Sequence, residues 1–426
     1  MTATHTRAEA DTEKRARYVL AGTGNRGTTM WGQELLEGWN DRVELVGICD
    51  LNDMRAERAR TMIRSNAPIW TDFNACLAET RPELVIVCTP DDTHDDLIVA
   101  ALEAGSDVIT EKPMTTSPEK IARIRAAEAR TGRRVDVSFN YRFAPTSYKI
   151  RELLASGAIG TVTSVDFHWY LDTDHGADYF RRWHAFREHS GSLFVHKATH
   201  HFDLLNWYLD ADPVDVSAFG ELRNYGHNGP FRSTRCHDCP HAAECNFYFD
   251  MEADDFLWPL YGDPAEVDGY FRDACVFREE IDIPDTMTST IRYSNGAVVS
   301  YSLNTYMPIE GHHIAFNGTG GRIELRQHER QPWEVEPEDR ILLTRNFGGG
   351  HEVITVPHEP GGHYGGDNRM RDTIFRNRDD PLKQRADSRA GALSVLTGIA
   401  ALRSADTGRM VTIAEICPGG LDLGLR

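Results

Sequence analysis

Residues 22–27 read Gly22-Thr23-Gly24-Asn25-Arg26-Gly27 and follow a short apolar run at residues 18–21. This spacing can cradle a pyrophosphate. The first glycine allows the tight turn, the second lets backbone approach the phosphates, and the third lets helix and strand pack closely. A helix starting there would face the anion with unpaired N–H groups. Asp50 closes the next apolar run, residues 43–49. A carboxylate there can bind ribose hydroxyls and would repel a 2′-phosphate, so NAD is favoured over NADP. Glu111 and Lys112 end a later run at residues 108–110. A lysine beside a positively charged nicotinamide is driven toward its neutral form and can exchange a proton.

Two further groups could carry chemistry. His196 and His200 are i, i+4, so both leave one helix face. Such a pair can bind a metal, but no HExxH and no obvious third ligand accompany it. Cys236, Cys239, Cys245 and Cys275 lie in or near a polar stretch. Reduced thiols so spaced suggest tetrahedral coordination, most simply a structural Zn2+ folding a segment with little core of its own. Free thiols, a disulfide or an iron–sulfur cluster are the other readings, and His237 or His241 could replace one cysteine.

The elements that must position these residues fall into two patterns. Up to about residue 143, short apolar runs alternate with helical stretches, as in βαβ units on a parallel sheet. Beyond it come a long strand-like segment at 161–171 and a hairpin signal at 286–306 centred on Asn295-Gly296. Helices are expected only at about 194–209 and 388–404. The expected partition is a disordered leader at 1–17, a Rossmann dinucleotide-binding domain at 18–143, and a substrate-binding and oligomerisation domain at 144–426. The latter is an open, mainly antiparallel sheet with helices on one face and a loop-rich, cysteine-containing insertion at about 226–282.

The chain has 426 residues and a formal net charge of −19. That balance argues against nucleic acid and against an anionic membrane surface as partners. No apolar run reaches the roughly 18–20 residues that cross a bilayer. The polar start lacks a secretory h-region, so a cytoplasmic location is expected.

In this order, GTGNRG at 22–27, CD at 49–50, CTPDDTH at 88–94, EKP at 111–113, NYRF at 140–143, HKATHHFDLLNWYL at 196–209 and GGHYGGD at 361–367 carry a resemblance. The chain resembles the Gfo/Idh/MocA family, that is, glucose–fructose oxidoreductase, inositol dehydrogenase and relatives. The resemblance implies that Gly22, Gly24, Asn25, Arg26, Gly27 and Asp50 hold the cofactor, with Thr89, Pro90 and His94 along it. It places Glu111 and Lys112 beside the nicotinamide, and Asn140 and Arg142 at the junction with the substrate. His200, three residues before Asp203, matches the family's catalytic histidine. Many relatives carry an acidic residue where this chain has His196, followed by Lys197. The family's open sheet commonly forms an oligomer interface, which implies a homodimer or homotetramer.

These readings converge on an NAD-dependent dehydrogenase that oxidises a secondary hydroxyl of a sugar, glycoside or cyclitol. Lys112 and His200 would share a hydrogen bond to the reacting hydroxyl, with His196 assisting. Residues 172–190 are expected to form a loop whose Tyr179, Arg181 and Trp183 receive a polyhydroxylated ring, with Lys197 and His201 nearby. A glycosidase that oxidises, eliminates and reduces while recycling NAD would use the same residues. A regulator that binds dinucleotide without turnover would not need the Lys112–His200 pair.

Overall fold

A computed structural model of the chain describes residues 14–417 and 423–424. The expected leader therefore lies mostly outside the described residues, and the first strand, β1 (Ala16–Ala21), already includes its last two positions.

Six strands build the first sheet in parallel: β1, β2 (Val43–Cys49), β3 (Ile69–Trp70), β4 (Leu84–Val87), β5 (Asp107–Thr110) and β6 (Val135–Val137). Their order is β6-β5-β4-β1-β2-β3. Val85, Ile86 and Val87 of β4 and Ile48 of β2 are fully buried. Such continuous apolar runs suit strands covered on both faces by crossover helices. The strand order reverses at β1, between β4 and β2, and ligands bind outside the carboxyl ends of strands at such a switch point.

The second sheet has nine strands. They include β7 (Val162–Asp172), β8 (Pro213–Glu221), β9 (Thr286–Tyr293), β10 (Val298–Met307), β11 (Glu310–Gly318), β12 (Gly321–Arg330), β13 (Glu338–Arg345) and β14 (His351–Pro357). Two-residue strands then join each sheet. β15 (Ala386–Asp387) adds antiparallel to β6 of the first, and β16 (Val411–Thr412) to β8 of the second. The order β14-β13-β12-β11-β7-β10-β9-β8-β16 is antiparallel except at β7–β10. The β9–β10 hairpin turns at Gly296, whose φ of +87° needs a glycine. The helices Ala198–Leu209 and Ser388–Thr407 cover one face. Every residue of the former is buried: it packs against the latter helix and sets His201 and Phe202 on Phe167, Trp169 and Tyr301 of the sheet.

Three expectations differ from the fold. Residues 172–190 are not a loop throughout: Thr173–Arg181 is a helix. Asp172 caps it by accepting from the Asp174 and His175 N–H groups. The helix expected from residue 194 starts at Ala198, after a turn in which Ser192 has φ +78°. β13 and β14 were not expected: β13 buries Asp339, Ile341 and Leu343 in alternation, and β14, at the sheet edge, buries none of its residues. In the insertion, the helical elements among the described residues are a 3-10 turn at Gly226–Asn228 and the short α-helices Leu257–Tyr261 and Ala265–Asp268.

Candidate active site

The glycine turn leaves the carboxyl end of β1. Gly22 has φ +92°, and a Cβ there would lie 2.7 Å from the Cys88 backbone. A Cβ on Gly27 would lie 2.1 Å from the Gly22 carbonyl oxygen. Both positions are closed to any side chain, so the cradle depends on glycine. Asp50 fixes the other rim: its Oδ2 accepts from the Thr23 N–H (2.8 Å) and hydroxyl (2.6 Å), its Oδ1 from the Asn52 N–H (2.9 Å). Cradle, helix start and ribose-side carboxylate together fit a dinucleotide. Leu51, next to Asp50, is an apolar side chain left 88% exposed, and it carried no signal in the sequence.

Several residues expected along the cofactor brace the crevice. Arg26 turns its guanidinium to Glu111 (2.9 Å) and Asp367 (3.4 Å). Glu111 also accepts from the Trp31 indole N–H at 2.8 Å. Burial raises the Glu111 carboxyl, but Arg26 and Trp31 outweigh it and hold it below its usual range. Buried His94 lies 2.9 Å from the carbonyl oxygens of both Thr89 and Pro113, joining the loops after β4 and β5. The Thr89 hydroxyl lies 2.7 Å from that of Thr93, and Pro90 stays exposed at the mouth. Asn140 donates to Asp367 (2.6 Å) and meets His363 Nδ1 (2.9 Å), while its buried carbonyl oxygen has no hydrogen-bond partner.

At the end of β5, Lys112 Nζ lies 3.2 Å from His196 Nε2. His196 Nδ1 lies 2.5 Å from Asp91 Oδ2. The chain Lys112–His196–Asp91 joins the two domains, and Asp91 was not anticipated. Burial pulls Lys112 down to about 8, against the pull of Asp91 and Glu111. Burial and then the Lys112 charge push His196 well below its ordinary value, so the ring is neutral. An ammonium donating to Nε2 leaves the ring proton on Nδ1, facing Asp91.

His200 lies in the first turn of the helix Ala198–Leu209, whereas His196 sits in the turn before it, so the two histidines do not share one helix face as expected. Its ring meets Tyr141 edge-on at 4.9 Å, and its buried Nδ1 has no hydrogen-bond partner. Burial, then Lys112 and Lys197, depress its basicity. Lys197 is 4% exposed and lies over the rings of Trp169 (5.1 Å) and Tyr141 (5.8 Å). Tyr179 meets His175 at 3.1 Å and packs edge-on to His196; Trp183 stacks on His184.

Other expected site residues are committed elsewhere. Arg142 makes a buried two-pronged pair with Asp203, at 2.7 and 2.6 Å, instead of lining the substrate junction. Burial raises Asp203 to about 6 despite that pair. Arg181 donates to Cys236 Sγ (3.3 Å) and the Phe247 carbonyl, so it anchors the insertion rather than a sugar. His201 stacks on Trp169 and meets the Tyr301 hydroxyl at 2.7 Å, a packed position in the core. Cys236, Cys239, Cys245 and Cys275 line one small cavity with Arg181. Among the described residues, however, no group of three or more His, Cys, Asp or Glu side chains is placed to hold a metal. The expectation of zinc is therefore unsupported; burial raises the Cys236 thiol, which favours its protonated form.

Among the described residues no helix is long and apolar enough to cross a membrane. Residues 16–139 match the family model described as "Oxidoreductase family, NAD-binding Rossmann fold". Residues 151–413 match "Oxidoreductase family, C-terminal alpha/beta domain". The chain is 37% identical over 423 residues to a protein of Bacillus subtilis (strain 168) named as an oxidoreductase, YteT, covering 93% of this chain and 98% of that one. It is 32% identical over 122 residues to the D-glucoside 3-dehydrogenase of Escherichia coli (strain K12), covering 28% and 34% respectively. The fold is that of the WlbA dehydrogenase from Bordetella pertussis, solved with NADH and UDP-GlcNAcA: TM-score 0.65, 20% identity, covering 96% of this chain and all of that one. The chain belongs to the Gfo/Idh/MocA family of NAD(P)-dependent oxidoreductases.

Proposed function

We propose that the protein oxidises a secondary hydroxyl of a sugar, glycoside or cyclitol, using NAD. The observation that carries this reading is the Lys112–His196–Asp91 chain at the carboxyl end of β5, in the crevice that begins at the glycine turn. The bound nicotinamide supplies the hydride acceptor. Neutral Lys112 takes the proton of the hydroxyl. The resulting ammonium donates to His196 Nε2, and His196 Nδ1–H donates to Asp91, so the new positive charge meets a prepared acceptor. His200, with a free Nδ1, is the second group aimed at the substrate oxygen. The aromatic sides of Tyr141, Tyr179 and Trp183 suit the C–H faces of a ring.

The test is a panel of sugars, glycosides and cyclitols incubated with enzyme and NAD, followed for NADH and for released aglycone. The reading expects NADH to accumulate with at least one compound and to vanish in Lys112→Met. Aglycone release without net NADH would replace it with the NAD-recycling glycosidase. Tight NAD binding with neither product would point to a regulator.

A further inference from the structure

The insertion reaches the glycine turn at Tyr261. Its hydroxyl accepts from the Asn25 N–H at 2.7 Å. Asn25 lies inside the glycine turn, and its amide is among those that start the following helix. A Cβ on Gly24 would lie 3.0 Å from the Tyr261 oxygen, so the second glycine makes room for the tyrosine as well as for an anion. Tyr261 is 7% exposed although its helix spans only Leu257–Tyr261 in a loop-rich segment. Something must hold it there.

Two anchors do. On the Rossmann side, Asn52 donates to the Pro264 carbonyl (2.7 Å) and Asp268 (2.8 Å). Arg55 donates to the Leu260 carbonyl (3.1 Å) and Asp268 (2.7 Å), with its guanidinium 5.4 Å from the Tyr261 ring centre. Asn52 and Arg55 open the helix that follows Asp50, so the ribose rim and the insertion are tied together. On the substrate side, Arg272 makes a largely buried ion pair with Asp178 of the helix Thr173–Arg181. Burial and the two arginines Arg182 and Arg272 act on Asp178 in opposite directions; the arginines win and keep it ionised. The segment between the anchors therefore links the helix that follows Asp50 to the helix Thr173–Arg181.

We infer that residues 257–272 are a clasp of the dinucleotide site, with Tyr261 as its contact to the pyrophosphate. This rests on the NAD-binding character of the domain, not on the choice of substrate. A hydroxyl that accepts from an amide still has its own hydrogen to donate. Tyr261 thus passes the donor character of Asn25 outward to a phosphate oxygen, and Arg55, paired with Asp268 and Asp50, packs against its ring and holds it in place. A cofactor held from both domains leaves only when the Asn52–Asp268 and Arg55–Asp268 bonds open. The cofactor then exchanges slowly compared with one lying in an uncovered Rossmann crevice.

The experiment is a chase on the full-length chain. NADH-loaded protein is mixed with excess NAD, and the loss of bound-NADH fluorescence is timed for wild type, Tyr261→Phe and Asp268→Ala. Melting curves without cofactor check that the variants are folded. The expected result is release at least tenfold faster in both variants, with the Tyr261→Phe apo melting temperature unchanged. Release within twofold of wild type in a folded Tyr261→Phe would overturn the clasp. So would tighter NADH binding in that variant, which would mean that Tyr261 competes with the pyrophosphate. Wild-type protein that binds no NADH would overturn the dinucleotide site itself, a different failure from unchanged release.

Discussion

Lys112 is a lysine whose surroundings disfavour its charge, and that sets a pH dependence. Burial brings its ammonium to about 8, and the neutral amine is the form that can accept a proton. In the direction of hydroxyl oxidation, kcat/KM should rise with pH and level off above about 8, measured as a pH–rate profile. Lys112→Met should lower kcat by roughly 10²–10⁴-fold, the range for a lost general base. Asp91 is the informative neighbour: burial raises its carboxyl well above the ordinary range, the Lys112 charge opposes that, and Asp91 when ionised raises Lys112 in turn, so the two titrate as a pair. Asp91→Asn removes that charge, so the rising limb should move to lower pH while kcat falls by roughly tenfold or more as the His196 tautomer loses its fixing partner. A limb that stays in place would separate Asp91 from the relay. At this scale the sequence was legible where chemistry is local. The glycine turn, Asp50 and Lys112 each follow a strand within a few residues. The acid that pairs with His196 was not legible, because 105 residues separate it from the histidine and only the docking of two domains joins them.

Elements translate such contacts into stability and binding. The helix after the glycine turn packs so closely on β1 that Gly27→Ala would put a methyl 2.1 Å from the Gly22 carbonyl oxygen. The expected outcome is loss of NADH binding in a fluorescence titration, because the turn must open to admit it. The helix Ala198–Leu209 is held to the turn at Asn140–Phe143 by Arg142 and Asp203, 5% and 1% exposed. Arg142→Met would leave Asp203 buried without its partner, at a cost of about 3–5 kcal/mol in denaturant unfolding. The family resemblance implied a substrate arginine at this position. Its type and place near a cleft are the same for a structural ion pair, and only the bidentate geometry distinguishes them. Arg181 repeats the point, since an insertion with few elements needed an anchor that its own composition did not announce. The helix Thr173–Arg181 was hidden for another reason: its cap, Asp172, sits at the end of β7, where a turn residue reads as the start of a loop.

At the scale of the whole molecule, the chain does not behave as two beads on a linker. The helix Gly366–Phe375, from the C-terminal half, leans on the first Rossmann helix. Arg371, 1% exposed, donates to the Met30 carbonyl (2.9 Å) and to Glu34 (2.7 Å). Trp39 donates to Asp372 at 3.0 Å, and Arg26 reaches Asp367 across the same seam. β15 extends the first sheet from the far end of the chain, and one continuous apolar cluster includes residues from Val19 to Leu423. Ties at so many separate points make the opening of one domain costly to the other. Calorimetry should therefore record a single cooperative transition, and NAD should raise it as a unit by mass action rather than shift one part of it. Arg371→Ala removes a buried guanidinium while leaving Glu34 half exposed to solvent, so it loosens the seam without stranding a buried charge. The variant should melt lower and over a broader range, with NAD stabilising chiefly the component that contains the glycine turn. Two transitions already resolved in the wild type would show that the seam does not couple the domains, and the relay from Lys112 to Asp91 would then have to form anew each time they close.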